Sequence, residues 1–205
     1  MLSVTLTSPA QTRRFARALA ALLAPPALVT VEGDLGTGKT TLIREVLRAR
    51  GVRGAVASPS FTIAQSYRGR GDERLHHLDL YRLSAGAESE LFAWDDYLGG
   101  DALTFVEWPA AGREALPPAD VRLALEHRTR TSRAARLWAS PPFEERLTAV
   151  AAESGVVVER AAGERSAAAD RDATGAAGRR AAGCGATGGA IERNAADDGT
   201  GREAP

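Results

Sequence analysis

Lysine is almost missing from this sequence. Of 26 basic side chains, 25 are arginine, and the one lysine is Lys39. Cysteine is equally scarce. A lone Cys184 excludes a disulfide framework within the chain and any cysteine metal cluster, and it fits a reducing, cytoplasmic setting. Asparagine occurs once, at Asn194, so the Asn-Lys-x-Asp pattern that reads guanine in GTPases is absent. Neither charge sign is in excess, with 26 basic and 26 acidic side chains. No global field therefore draws the chain to DNA or a membrane, although a local patch remains compatible with RNA. Long apolar runs are missing too. The best, residues 19–31, contains Pro25 and Pro26 and is too short to span a bilayer. Polar and charged residues interrupt the amino-terminal stretch, which does not read as a secretory signal.

What is present fits a soluble globular protein. The 205 residues are 44% hydrophobic and 25% charged, which suits one domain with an appendage. Its Ala, Gly and Arg content suggests a GC-rich coding bias, and that makes Lys39 informative. Arginine is a wide planar fork, whereas lysine is a compact ammonium on a flexible stem. A tight loop around a phosphate accepts the second and excludes the first.

Residues 9–24 have helical spacing, with Ser8 as cap and Pro9 at the first position. The apolar run 28–32 predicts a buried strand, residues 33–38 a glycine loop, and 40–50 a helix closed by Gly51. Residues 61–67 and 75–80 predict strands. Their short link, with Gly69 and Gly71, favours an antiparallel hairpin. A helix is expected over 88–98, a strand over 102–106 ending at Glu107, strands over 121–126 and 136–139, and a helix over 143–153. Beyond residue 158 the chain becomes Ala, Gly, Arg and Asp, with Ile191 the one large aliphatic after residue 160. The expected division is a nucleotide-binding domain over 1–158 and a disordered tail over 159–205.

The strongest motif is Gly33-Asp34-Leu35-Gly36-Thr37-Gly38-Lys39-Thr40, a complete G-x-x-x-x-G-K-[ST] between a strand and a helix. Gly36 and Gly38 allow backbone amides close to phosphate oxygens. The helix that follows directs its amides and positive dipole end at the anion. Lys39 reaches the outer phosphates, and the Thr40 hydroxyl is placed for Mg²⁺. Hydrolysis also needs a carboxylate near the metal or the attacking water. Glu107 and Asp79 stand at strand ends, where open α/β sheets bind ligands. A solvated acid is the ordinary alternative for each. Ser58, Ser60 and Thr62 follow the loop by about 20 residues, as a phosphate-sensing switch segment would; an ordinary turn fits equally well. His76 and His77 are adjacent, so on a strand they face opposite sides and do not form a two-histidine metal site. Trp108 is open to a core role or a lid or partner contact.

Taken in order, residues 33–41, Ser-Pro-Ser-Phe-Thr at 58–62, His-Leu-Asp-Leu-Tyr-Arg-Leu at 77–83 and Val-Glu-Trp-Pro at 106–109 resemble one family. It is that of the bacterial tRNA threonylcarbamoyladenosine biosynthesis ATPases, the TsaE family, and the resemblance covers roughly residues 1–150. It implies a P-loop NTPase fold: three-layer α/β with a mixed central sheet. It implies an ATPase needed for threonylcarbamoyl-adenosine beside the anticodon of tRNAs reading codons that start with A. The family acts on the threonylcarbamoyl-transferase subunit and its paralogous partner, resetting that complex through ATP binding and hydrolysis, so association with tRNA is indirect. By position, Thr40 and Glu107 would hold Mg²⁺. Gly33, Gly36, Thr37, Gly38, Lys39, Thr40 and Thr41 would hold the phosphates. Asp79 would orient water or join the metal shell. Thr12 would lie near the nucleotide base, and Arg133 would reach the nucleotide. Ser58, Ser60 and Thr62 would form the switch, with Trp108 following the second acid. Ser60 stands where the family commonly has Thr, Ala93-Trp94 where it often has Gly before a hydrophobic residue, and the tail has no counterpart.

Two other readings are compatible with a P-loop: a slow nucleotide switch and a small-molecule kinase. Arg68, Arg70, Arg74 and Arg82 leave a kinase lid open, whereas the Val-Glu-Trp-Pro segment speaks against it. Deleting residues 161–205 is expected to leave the melting temperature nearly unchanged, because that composition buries little apolar surface. A large drop in a thermal melt would show that the tail packs on the domain.

Overall fold

The computed structural model describes residues 1–59, 62–83, 92–141, 143, 144, 146 and 158–159. Strand β1 (Leu2–Leu6) leads into helix α1 (Pro9–Leu22). The Ser8 hydroxyl accepts from the Gln11 amide at 3.3 Å and Pro9 opens the first turn, as the sequence predicts. Strand β2 (Ala27–Glu32) is followed by the glycine loop and helix α2 (Lys39–Ala49), which Gly51 ends in the left-handed region at φ 94°. Strands β3 (Ala64–Arg68) and β4 (Arg74–Asp79) form the expected antiparallel hairpin. One helical turn, α3 (Asp95–Leu98), precedes β5 (Ala102–Glu107). Strands β6 (Val121–His127), β7 (Arg133–Ala139) and the two-residue β8 (Val158–Glu159) complete the described elements.

The strands form one mixed sheet in the order β3-β4-β5-β2-β6-β7-β1-β8. Its centre, β4-β5-β2-β6, is parallel, and the flanks are antiparallel. Parallel strands buried on both faces read as nearly continuous apolar runs, as Ala-Leu-Val-Thr-Val on β2 and Ala-Leu-Thr-Phe-Val on β5 do. Alternation along these strands separates two cores. Val29 and Val31 of β2 and Leu103 and Phe105 of β5 join Phe15 and Leu19 of α1 and Leu42, Ile43 and Leu47 of α2. Leu28, Leu78, Leu80, Leu83 and Val106 form the second core, against Trp94, Tyr97, Trp108 and Leu116. The layered α/β expectation holds. Only α3 remains of the helix expected over 88–98 within the described residues, because 84–91 lie outside them. The helix expected over 143–153 and the tail from residue 160 also lie largely or wholly outside.

Two differences from the sequence reading have plain causes. Strand β1 was not expected, yet Leu2, Val4 and Leu6 alternate and are all buried, with Ser3 and Thr5 between them. Strand β7 begins three residues before its expected start, because its Ala-rich opening has little strand propensity and forms by pairing with both β1 and β6.

Arg50, just past α2, holds three elements together. Its guanidinium pairs with Glu73, Nε to Oε2 at 2.9 Å, and Nη1 donates to the carbonyls of Ala20 in α1 at 2.6 Å and of Leu23, just past α1, at 2.8 Å. The pair is largely buried, so removing one partner strands the other. Arg50→Ala is expected to lower the unfolding free energy by about 3 kcal/mol. Urea denaturation checks this; a loss within experimental error of zero contradicts it.

Candidate nucleotide site

The site lies where α2 begins, at the carboxyl ends of β2, β4 and β5. The glycines of the loop serve different purposes. A Cβ on Gly33 would sit 2.3 Å from the Leu125 carbonyl oxygen of β6, and its φ is 137°, so no side chain fits. Gly38 caps α2 in the left-handed region at φ 99° and provides no side chain that would cover the first amides of the helix. Those amides face the loop's concavity, ready for an anion.

Lys39 is 4% exposed, and its ammonium donates to the loop carbonyls of Gly33 at 2.8 Å and Asp34 at 3.0 Å. The Trp108 ring covers it, with Nζ 3.9 Å from the ring centroid, a cation–π contact. Burial pushes the Lys39 amine below its usual 10.5; Glu107, Asp79 and Asp34 nearby pull the other way. Thr37 turns its hydroxyl to the Asp34 carbonyl at 2.9 Å, which closes the loop internally.

The two acids emerge together. Asp79 and Glu107 are register partners on the parallel strands β4 and β5. Both are buried, at 5% and 2% exposure, on the sheet face that α2 covers. Thr40 on α2 donates its hydroxyl to Glu107 Oε2 at 3.0 Å. The other oxygen, Oε1, lies 2.8 Å from His77 Nε2. Asp79 accepts from the Tyr81 amide at 3.2 Å, and the Ser58 hydroxyl lies 3.5 Å from its Oδ2. Thr40 on α2 thus meets Glu107 at the end of β5, and Asp79, the register partner of Glu107 on β4, has Ser58 at its margin. Thr62 is exposed, in the turn before β3, and Ser60 lies outside the described residues.

Thr12, Thr41 and Arg133 are on the other side of the loop. With Gly36, Thr37 and Gly38 they line a cavity of about 540 Å³ between the start of α1, the loop and the β6–β7 end. That volume suits a small organic ligand. Arg133 Nε donates to the Thr37 carbonyl at 3.3 Å, which ties β7 to the loop.

Two side chains with no role assigned from the sequence belong to this neighbourhood. His77 is wholly buried against Glu107, and Tyr81, 54% exposed, places its ring 5.0 Å from that of Trp108. The signal for His77 was present: in His76-His77-Leu78-Asp79, strand alternation puts His77 and Asp79 on one face. His76 faces the other side, bonded to Ser66 at 2.8 Å and edge-on to Tyr97. Backbone strain marks both margins of the site. Trp108 has φ 57° and Ile63 has φ 64°, values that bulky and β-branched residues rarely adopt.

Because the folded chain releases the Lys39 proton at lower pH than the unfolded chain does, its stability relative to Lys39→Met rises as pH climbs toward 10.5. Denaturation of both nucleotide-free chains at pH 7 and near pH 10 measures this; a pH-independent difference contradicts the lowered value.

A family model described as "Threonylcarbamoyl adenosine biosynthesis protein TsaE" matches residues 6–135. The chain is 37% identical over 116 residues to the tRNA threonylcarbamoyladenosine biosynthesis protein TsaE of Haemophilus influenzae, covering 56% of this chain and 73% of that one. It is 41% identical over 115 residues to the protein of the same name from Streptomyces coelicolor, covering 56% and 78%. The crystal structure of YdiB from Bacillus subtilis superposes with a TM-score of 0.62 at 25% identity, covering 74% of this chain and 95% of that one. With the glycine loop, the paired acids and the mixed sheet in place, the chain belongs to the TsaE family of threonylcarbamoyl adenosine biosynthesis proteins.

Proposed function

We propose that this chain is an Mg²⁺-dependent ATPase serving tRNA threonylcarbamoyladenosine formation. In this reading it acts in the cytoplasm on the threonylcarbamoyl-transferase subunit and its paralogous partner. The pathway is carried by the family and by the names of the relatives. The chemistry is carried by one observation: the chain's only lysine is buried on the carbonyls of a glycine loop, beside a Thr40–Glu107 pair.

The triphosphate would lie on the amides of Gly36, Thr37, Gly38, Lys39, Thr40 and Thr41. Lys39 would exchange the Gly33 and Asp34 carbonyls for phosphate oxygens, a charged acceptor that binds it more strongly. Adenosine would occupy the cavity beside Thr12 and Arg133. The residues also fit Mg²⁺. Thr40, Glu107 and Asp79 offer hard oxygen donors, and among the described residues no group of three or more His, Cys, Asp or Glu forms a complete protein cage. Mg²⁺ suits such a site, held by one or two carboxylates with substrate phosphates completing the shell. When bound it would supply positive charge that offsets the charge of the phosphates. Thr40 and Glu107 would hold it, while Asp79 would orient water for attack on the terminal phosphate. Ser58, Ser60 and Thr62 would form the switch that senses that phosphate, and Ser58 lies beside Asp79. Trp108 would present the nucleotide state to the partner proteins.

A slow nucleotide switch is the second reading. The strained backbones of Ile63 and Trp108 favour it, because such positions flank elements with two arrangements. Among the described residues no helix is long and apolar enough to cross a membrane, so nothing in them calls for a membrane partner.

Lys39→Ala is expected to abolish nucleotide binding, and Glu107→Ala to lower Mg²⁺-dependent hydrolysis by about 10²-fold or more. The assay is ATP turnover by the chain alone and with the transferase pair. Unchanged hydrolysis in Lys39→Ala refutes the loop assignment. Phosphorylation of a metabolite without the partners supports a kinase instead.

A further inference from the structure

The buried histidine of β4 has no packing reason to be a histidine. His77 is wholly buried on a face where its apolar neighbours include Leu75, Leu103 and Phe105. Its Nδ1 is buried without a hydrogen-bond partner. A leucine would fill such a place without a polar atom to desolvate. The one contact that accounts for the imidazole is Nε2, 2.8 Å from Glu107 Oε1. A carboxylate has no proton to give, so the ring nitrogen facing it carries the hydrogen and donates.

Glu107 is therefore held from two directions. Thr40 donates to Oε2 from α2, and His77 donates to Oε1 from the sheet. A glutamate has three rotatable side-chain bonds, and neither contact alone fixes them all. Thr40 sits on the same loop–helix junction that a phosphate would occupy. Only the His77 contact comes from the rigid sheet, so it is independent of what the loop binds. Asp79 lies two residues along β4 on the same face, so one strand sets the positions of both acids.

We propose that His77 is a positioning residue for Glu107, fixing the carboxylate so that it meets Thr40 and the Mg²⁺ beside it in one orientation. The inference rests on the Mg²⁺-ATP reading above. It concerns the hydrogen bond that Nε2 donates to Glu107. Groups that orient a metal-binding carboxylate typically contribute 10- to 100-fold to metal affinity.

The test compares the full chain with His77→Met, which fills the space without a donor, and His77→Gln, which retains an N–H. A fluorescent ATP analogue is titrated in EDTA and then with Mg²⁺, with thermal melts of the nucleotide-free chains as a check on folding. The expected result is unchanged affinity in EDTA for all three chains. The Met variant should need about 10-fold more Mg²⁺ to reach half-saturation, and the Gln variant should recover most of that loss. Wild-type Mg²⁺ dependence in the Met variant overturns the inference alone. An equal defect in Met and Gln variants also overturns it, since packing and not the donor would be responsible. A wild-type chain that binds the analogue with no response to Mg²⁺ overturns the Mg²⁺-ATP reading, and this inference with it.

Discussion

Glu107 is a carboxylate placed where water barely reaches, and the architecture around it follows from that placement. A buried carboxylate is costly unless its oxygens are matched by donors. Thr40 and His77 match them, one from the helix behind the glycine loop and one from the neighbouring strand. The match requires β4 and β5 to be parallel and in register, so that Asp79 and Glu107 end at the same level. It also requires α2 to start directly above that level, which fixes where the loop must turn.

The loop in turn is held by the ammonium it surrounds. Lys39 satisfies the carbonyls of Gly33 and Asp34 while Trp108 caps it. The resting loop is thus already folded around a positive charge, with the charges of Glu107, Asp79 and Asp34 close by. A polyphosphate entering this site would meet a formed concavity, which lowers the ordering cost of binding. The strained Trp108 and Ile63 backbones stand at the margins, on the segments that leave β5 and enter β3. The site is closely hydrogen-bonded around Lys39 and Glu107 and strained at Trp108 and Ile63.

Much of this was readable in the sequence because it depends on local chemistry. The glycine loop, its flanking strand and helix, and the acids at strand ends each carry a short signature that sterics enforce, as the Leu125 carbonyl does at Gly33. The β3–β4 hairpin was readable from its short glycine-bearing link. Long-range pairing was not. Strand β1 borders β7 across more than 120 residues, as the partners Val4 and Ala135 show. An Ala-rich segment such as the start of β7 carries no strand signal of its own. The role of Arg50 depends on three elements meeting, and no spacing reveals that. His77 lies between these cases: alternation placed it beside Asp79, but only the register of β4 against β5 shows that it meets Glu107.

The central claim is that the loop over residues 33–40 is a phosphate cradle whose lysine is held in reserve by the loop itself. A crystal structure of the chain with Mg²⁺ and a non-hydrolysable ATP analogue tests it most directly. The account predicts that Lys39 leaves the Gly33 and Asp34 carbonyls for the outer phosphates, with the metal beside Thr40 and Glu107. An analogue bound elsewhere, with Lys39 still on those carbonyls, would contradict it.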